Sequence, residues 1–434
     1  MDTKTETSRA PRSPRGSLGQ WLPFRRPSLG LLTAGQWVST VGNAFNGLAL
    51  GWLVLSVTHS RAALGLVSGV GDTVGLFMMV SGVWVDRGNR RRTMLGADLI
   101  RAAAAFALGG LALAARASLF GIVALVVLAR LAGTFFAPAS FALLPELVDR
   151  EELGAANGLL ATARTSAGLV GQLAGGALLG IFGPAALFLF NGASFTASSV
   201  SLAFIRPRPA TPPAVPSTPP AQGAASLWRD LKAGQHVIWQ DPFLRRLVPI
   251  AMVVGFFSVA ISVLDVAWVR QVLHAGPIIY GGFWVAAGAG GIVGSALSNR
   301  LVQRFAVVPL NVAAMVAIGA AVAALALVPN APFDLLCMLA MGFALGVQST
   351  SINTALLLMV PEEAIGRSIG AIGALANASG PVGAVAAGLA ATVWPLARVL
   401  WLSGVLVALA SLGLWGVHAP AHDTARTPGL GRPY

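Results

Sequence analysis

The sequence predicts an all-α membrane protein of twelve transmembrane helices, arranged as two six-helix pseudo-symmetric bundles. Three observations carry this. Only 10% of the residues are charged and 56% are hydrophobic, whereas a soluble domain carries about 25% charged residues. The apolar residues fall into repeated runs of about 20 or more, the length that spans a hydrocarbon core. A proline-rich break at 206–225 leaves six such runs on each side.

The elements follow in order. Residues 1–27 are polar and basic and lack the apolar core of a signal peptide, so they read as an uncleaved cytoplasmic tail. Apolar runs at 30–57, 62–85, 93–115, 119–137, 156–182 and 185–205 make a first bundle within 28–205. "RPRPATPPAVPSTPPAQGAA" (206–225) lacks apolar periodicity and reads as an extended linker. "SLWRDLKAGQHVIWQD" (226–241) suits an amphipathic helix on the inner membrane surface. Runs at 244–273, 278–299, 305–328, 333–358, 366–394 and 396–417 make the second bundle within 242–417, and 418–434 is a second cytoplasmic tail. The eleventh run is weakly bounded, because 360–395 is rich in glycine and alanine.

Arginines set the expected orientation. With the first tail inside, the outer side holds Arg61, Arg116, Arg270 and Arg398, and Arg101, Arg130 and Arg164 lie within spans. All the other lysines and arginines fall on the inner side, as the positive-inside rule requires. Both termini are therefore expected in the cytoplasm. Trp52, Trp268, Trp284, Trp394 and Trp401 fall near outer ends and Trp84 and Trp415 near inner ends, as an aromatic belt would. The net charge of +13 belongs to this topology, not to a nucleic-acid surface, which needs a basic face on a soluble domain.

The halves echo each other. Asp86-Arg87 and Arg91 match Asn299-Arg300 and Arg304 in spacing, and "PELVDREELGAANG" (145–158) corresponds to "PEEAIGRSIGAIGA" (361–374). Internal repeats of this kind mark transporter folds.

Polar residues inside the spans are costly and are functional candidates by default. Gln36, Ser39, Thr40, Asn43 and Asn46 form a polar stripe on span one, which lipid does not tolerate. Ser258, Ser262 and Asp265 do the same on span seven, and Gln348, Asn353 and Thr354 on span ten. Hydrogen bonding between helices is the competing role for the asparagines. Asp72 lies near the middle of span two and Arg130 near the middle of span four. Asp98 and Arg101 are three apart on span three, a spacing that allows a local pair. Asp334 begins span ten and reads as a helix cap. Asp72, Arg130 and Asp265 are the proton-coupling candidates. A structural ion pair is the competing role for Asp72 and Arg130.

The stretch "SGVWVDRGNRRRTML" (81–95) carries a resemblance. Gly82, Asp86, Arg87, Asn89, Arg90 and Arg91 follow the pattern G-x-x-x-D-R-x-G-R-R of the major facilitator superfamily, with Asn89 in place of a glycine. "ADLIRA" (97–102) and "FAPASFALLPELVDREELGAANGL" (136–159) resemble its efflux branch, which contains enterobactin-type exporters and macrolide-efflux proteins. The resemblance implies that spans one, four, seven and ten line a central cavity. It implies that Arg130 stands where the family commonly has an arginine. It implies a gate latch made of Gly82, Asp86, Arg87, Arg90, Arg91, Asp98 and Arg101, with Asp86 facing the start of helix eleven. The G-P-x-x-G-G motif of drug antiporters is Gly171-Gln172-Leu173-Ala174-Gly175-Gly176 here, without the proline. Close helix packing is the other reading of these glycines.

The expected function is secondary active efflux of a small amphiphilic organic compound by alternating access, driven by proton entry. One charge moving inward gains about 2.3 kcal/mol per 100 mV. A solute importer on the same fold and a non-transporting sensor or scaffold are the alternatives. No enzyme activity, cofactor, metal or nucleic-acid partner is expected. There is no G-x-x-x-x-G-K-[ST] or H-E-x-x-H motif, and the one cysteine, Cys337, forms no disulfide within the chain. A monomer in the inner (cytoplasmic) membrane is expected.

Overall fold

The computed structural model of the chain describes residues 25–77, 81, 84–85, 88–206, 242–359 and 365–413. Among these residues all regular structure is helical. The first half contains α1 (Pro27–Thr58), α2 (Arg61–Gly75), α3 (Arg90–Leu113), α4 (Leu119–Leu143) and a helical run Leu153–Phe204. That run is two spans, because Gly183 has φ 74° and ψ 176° and precedes Pro184. The left-handed φ suits glycine, and proline cannot continue the ladder of hydrogen bonds. Its two arms are α5 (153–182) and α6 (184–204). The second half contains α7 (Pro242–Gln271), α8 (Pro277–Arg304), α9 (Val307–Leu327), α10 (Ala331–Met359), α11 (Ile365–Val393) and α12 (Leu396–Leu412).

Local chemistry fixes the helix starts. Ser60, Asn89 and Ser118 accept from Ala63, Arg92 and Gly121 and cap α2, α3 and α4. Asp149 and Glu152 form a capping box before α5. At the start of α10 the cap is Asn330, which accepts from the Phe333 amide at 3.3 Å. Asp334, expected as that cap, is instead fully buried and accepts from the Trp268 indole at 2.8 Å.

Two sets of turns define the ends of the bundle. The arginine-rich end holds 88–89, 144–152, 205–206 and 305–306, and the opposite end holds 59–60, 114–118, 272–276, 328–330 and 394–395. Within the first half, α1 lies against both arms of the broken run. Gly171 and Gly175 receive Val41, Ala44 and Leu48, and Gly42 receives Asn191 and Ser194. Within the second half, α8 packs on α10, α9 on α12 and α7 on α11. Between the halves, α2 packs on α11 and α5 on α8. These two cross-contacts are equivalent under exchange of the halves, the mark of a pseudo-twofold.

The apolar cores report the same asymmetry between ends. One cluster runs across both halves near the opposite end and includes Leu53, Leu64, Val67, Leu179, Trp268, Tyr280, Phe283, Ala387 and Ala391. The other is confined to the first half at the arginine-rich end, around Leu29, Leu32, Met94, Leu143 and Leu147.

The expected span limits agree with most of the helices, but span two, expected over 62–85, is helical as α2 only to Gly75, span twelve, expected to 417, ends as α12 at Leu412, and span four runs longer than expected. That run was expected to stop at 137, yet α4 continues through Pro138 to Leu143. Its carbonyl at Thr134, which Pro138 cannot bond, accepts from Ser81 Oγ at 2.6 Å. The tryptophan belt also needs correction. Trp84, Trp394 and Trp401 are exposed, but Trp268 is fully buried inside the protein. Residues 1–24 and 414–434 of the tails and 207–241 of the linker and amphipathic segment lie outside the described residues.

Candidate functional site

A cavity of about 490 Å³ lies inside the first half. Its polar lining is Asn43 and Asn46 from α1, Arg101 from α3, Arg130 and Thr134 from α4, and Asn191 from α6. Leu50, Leu108, Val126 and Phe195 give it apolar walls, and Gly47, Gly75 and Gly133 leave it room. Cations and amides beside leucine and phenylalanine suit a small amphiphile.

Arg101 is held from several sides. It donates to Asp98 Oδ1 at 3.2 Å and to Asn43 Oδ1 at 3.2 Å. Its guanidinium lies 3.9 Å from the centroid of the Phe195 ring, a cation–π contact. Asp98 is fully buried. The expected local pair therefore forms, and it presents Arg101 to the cavity. Arg130 points into the cavity, and Asp72 lies within its electrostatic reach. Among the described residues, Asp72 and Arg130 make no direct ion pair with each other.

The other polar candidates fall elsewhere. Gln36 is buried and away from the cavity, donating to Ser140 Oγ at 2.7 Å and accepting from Arg164 Nε at 3.1 Å. It ties α1 to α4 and α5. Ser258 is half-buried, and Ser262 is exposed and donates to the carbonyl of Val259 in its own turn. Gln348 is half-buried, with its backbone carbonyl facing Asn311. The Asn353 side chain lies outside the described residues. Asp265, a proton-coupling candidate, is 1% exposed, accepts from the Val266 amide at 2.6 Å and lies beside Trp284.

Of the gate motif, Gly82, Asp86 and Arg87 lie outside the described residues. Arg90 donates to the Ala142 carbonyl at 2.8 Å and to Glu146 at 2.5 Å. Arg91 donates to the carbonyls of Leu202, at 2.7 Å, and Ala203. These are C-terminal carbonyls of α6, which lack helical donors and attract a cation. Arg26 pairs with Asp149 and Glu152. All these bonds stay within the first half.

Asn191 and Phe195 were not expected at the cavity. Their signal was an asparagine in a sixth span that also carries Ser194, Thr196, Ser198, Ser199 and Ser201, a polar face that lipid does not favour. Arg61 and Arg270 had been read as topological exceptions alone. They carry the hydrogen bonds that join the two halves among the described residues.

Two six-helix bundles, packed against each other near one end and with a polar cavity lined by the first, define a multi-pass membrane transporter. The chain belongs to the Major Facilitator Superfamily, whose family model matches residues 32–384. It is 28% identical over 403 residues to the multidrug efflux pump Tap of Mycolicibacterium fortuitum, covering 86% of this chain and 92% of the pump. It is 23% identical over 378 residues to macrolide efflux protein A of Streptococcus pyogenes, covering 86% of this chain and 92% of that protein. Among solved structures, the nucleoside transporter NupG matches with a TM-score of 0.72 at 12% identity, covering 90% of this chain and 99% of that one. A bacterial homologue of ferroportin, described as inward-facing, matches with a TM-score of 0.67 at 15% identity, covering 89% and 98%. These structures share the fold.

Proposed function

We propose that this chain is a secondary active exporter that moves a small amphiphilic organic compound out of the cytoplasm by alternating access, with proton entry as the driving reaction. The observation that carries the reading is the mid-depth cavity that presents Arg101, Arg130 and three asparagines within apolar walls. The similarity to multidrug and macrolide efflux pumps supports export. The protein acts as a monomer in the inner membrane, with its arginine-rich end in the cytoplasm, as the distribution of arginines favours.

In this orientation the halves meet at the outer end, and the cavity serves substrate arriving from the inside. The motif of Gly82, Asp86, Arg87, Arg90, Arg91, Asp98 and Arg101 is the latch of the inner gate. Support comes from Arg90 and Arg91, whose bonds within the first half leave the second half free to swing at that end. Asn43 and Asn46 contact substrate from the first half, and Ser258, Ser262, Gln348 and Asn353 are the candidates from the second. Asp72, Arg130 and Asp265 are the proton-coupling candidates.

The test uses purified protein in proteoliposomes with an acidic lumen and a radiolabelled macrolide outside. Accumulation that collapses with a protonophore is expected. No accumulation under a gradient of either sign removes proton-driven export. In whole cells, expression that raises steady-state macrolide content identifies an importer instead.

A further inference from the structure

We infer that Arg61 and Arg270 are the residues that hold the outer end shut, as two reciprocal clamps between the halves. Arg61, from the first half, donates through Nε to Gln271 Oε1 at 2.8 Å and through Nη1 to the Ala391 carbonyl at 2.9 Å. Arg270, from the second half, donates through Nη1 to Ser56 Oγ at 2.8 Å. Its guanidinium also lies 4.7 Å from the Trp52 ring centroid, and Trp52 in turn packs beside Tyr280 of α8, with centroids 6.2 Å apart. Between described residues, these are the hydrogen bonds that join one half to the other.

The position of Arg61 is informative. It is the first residue of α2. A cation there faces the positive end of its own helix dipole. It is placed instead over the last turn of α11, whose terminal carbonyls lack helical donors. The geometry is locally unfavourable in α2 and favourable only across the interface. The backbone permits this approach: Gly65 faces Gly388 and Gly176 faces Gly281 so closely that an added Cβ would lie under 3 Å from backbone atoms.

The outer side provides its own contrast. Of the four arginines expected there, Arg116 and Arg398 are exposed. Among the described residues their side chains make no hydrogen bond or ion pair. Arginine is disfavoured on that side by the positive-inside rule. The two that serve as clamps are the two that reach the partner half.

The inference rests on the alternating-access reading, and its test needs no substrate. Arg116 lies in the first half and Arg398 in the second, both at the outer end. In a Cys337→Ala background, spin labels on Arg116→Cys and Arg398→Cys report the opening of that end by electron–electron resonance in lipid nanodiscs. A single short distance is expected with both clamps present. Arg61→Gln with Arg270→Gln should add a longer-distance population and lower the ratio of closed to open by about tenfold or more, since each bond to a charged group contributes measurably. Ser56→Ala with Gln271→Leu removes two acceptors and leaves both arginines, so it should shift the distribution the same way by a smaller factor. This second pair decides the matter if the first fails to fold. An unchanged distribution in the folded arginine variant, or in the acceptor variant where the arginine variant does not fold, overturns the clamp. Absence of transport by the unmutated protein in proteoliposomes, with the distance shift intact in the variants, would instead count against export while leaving the clamp standing.

Discussion

The hydroxyl of Ser81 donates to the backbone carbonyl of Thr134 at 2.6 Å, the carbonyl that Pro138 leaves without its helical donor. Thr134 lines the cavity, so this bond supports the wall of the site. Buried carbonyls away from water need a donor. Ser81→Ala should therefore lower stability by about 1 kcal/mol, the ordinary scale of such a bond. Pro138→Ala restores an N–H to the same carbonyl. A double-mutant cycle by thermal unfolding in detergent should show that Ser81→Ala loses much of its effect when Pro138→Ala is present. Additive losses would show that the serine acts elsewhere.

Asp98 and Arg101 should behave as a buried pair. Asp98 has no exposed surface, and Arg101 is fixed between it, Asn43 and Phe195. Removing one member strands the other's charge or polarity, at a cost of about 3–5 kcal/mol. Asp98→Ala should cut the yield of folded protein sharply, as read by fluorescence-detected size exclusion. Asp98→Asn with Arg101→Gln should recover part of it. A folded, stable Asp98→Ala protein would contradict the pairing.

Two glycines at which an added Cβ would meet backbone under 3 Å away should have different consequences. A Cβ on Gly342 would lie 1.8 Å from the Ala287 carbonyl, between α10 and α8 of one half. A Cβ on Gly281 would lie 2.5 Å from Gly176 Cα, between α8 and α5 of different halves. Gly342→Ala must disrupt a permanent contact and should lower the unfolding temperature. Gly281→Ala meets a contact that the proposed alternating access would break and remake. It should raise hydrogen–deuterium exchange around residues 277–285, with little change in unfolding temperature. If both variants behave alike, the α5–α8 contact is not a moving one.

The span pattern was legible because lipid imposes a strict rule: about 20 apolar residues and no unsatisfied backbone. Hence most helices follow the apolar runs, although α2 stops at Gly75, and the passage of α4 through Pro138 uses a serine hydroxyl 53 residues from Thr134 that no local pattern reveals. Asn43, Asn46, Arg101 and Arg130 were legible as costly polar groups in apolar spans. Gln36 carried the same signal, yet its amide joins Ser140 to Arg164. Polarity marks a residue as facing something other than lipid. It does not distinguish a cavity from another helix. Asp334 looked like a cap because it lies within a helical first turn, but Trp268 of α7 reaches it and Asn330 takes the capping role. The clamps were hidden for the same reason. Arg61 and Arg270 read as exceptions to a charge rule, and their meaning lies in partners contributed by the other half.

The last prediction concerns proton coupling. A carboxylate that carries protons through the cycle needs access to water and an environment that changes between states. Asp265 is sealed at 1% exposure and already accepts a backbone amide. Asp72 is half-buried on the face of α2 that brings Gly75 to the cavity, and Arg130 acts on it electrostatically. Among the described residues it makes no hydrogen bond that would fix its charge. The proposed rocking of α2 with its half against α11 would alter what surrounds it, and Arg130 provides a cation whose pull varies with separation as Coulomb's law requires. Asp72→Asn should therefore abolish pH-driven accumulation of macrolide in proteoliposomes while retaining exchange of labelled for unlabelled macrolide without a gradient. Arg130→Gln should weaken both, because it lines the cavity as well as facing Asp72. An Asp72→Asn protein that still accumulates substrate against a gradient would move the proton to another carboxylate, and Asp265→Asn would then be the variant to measure in the same vesicles.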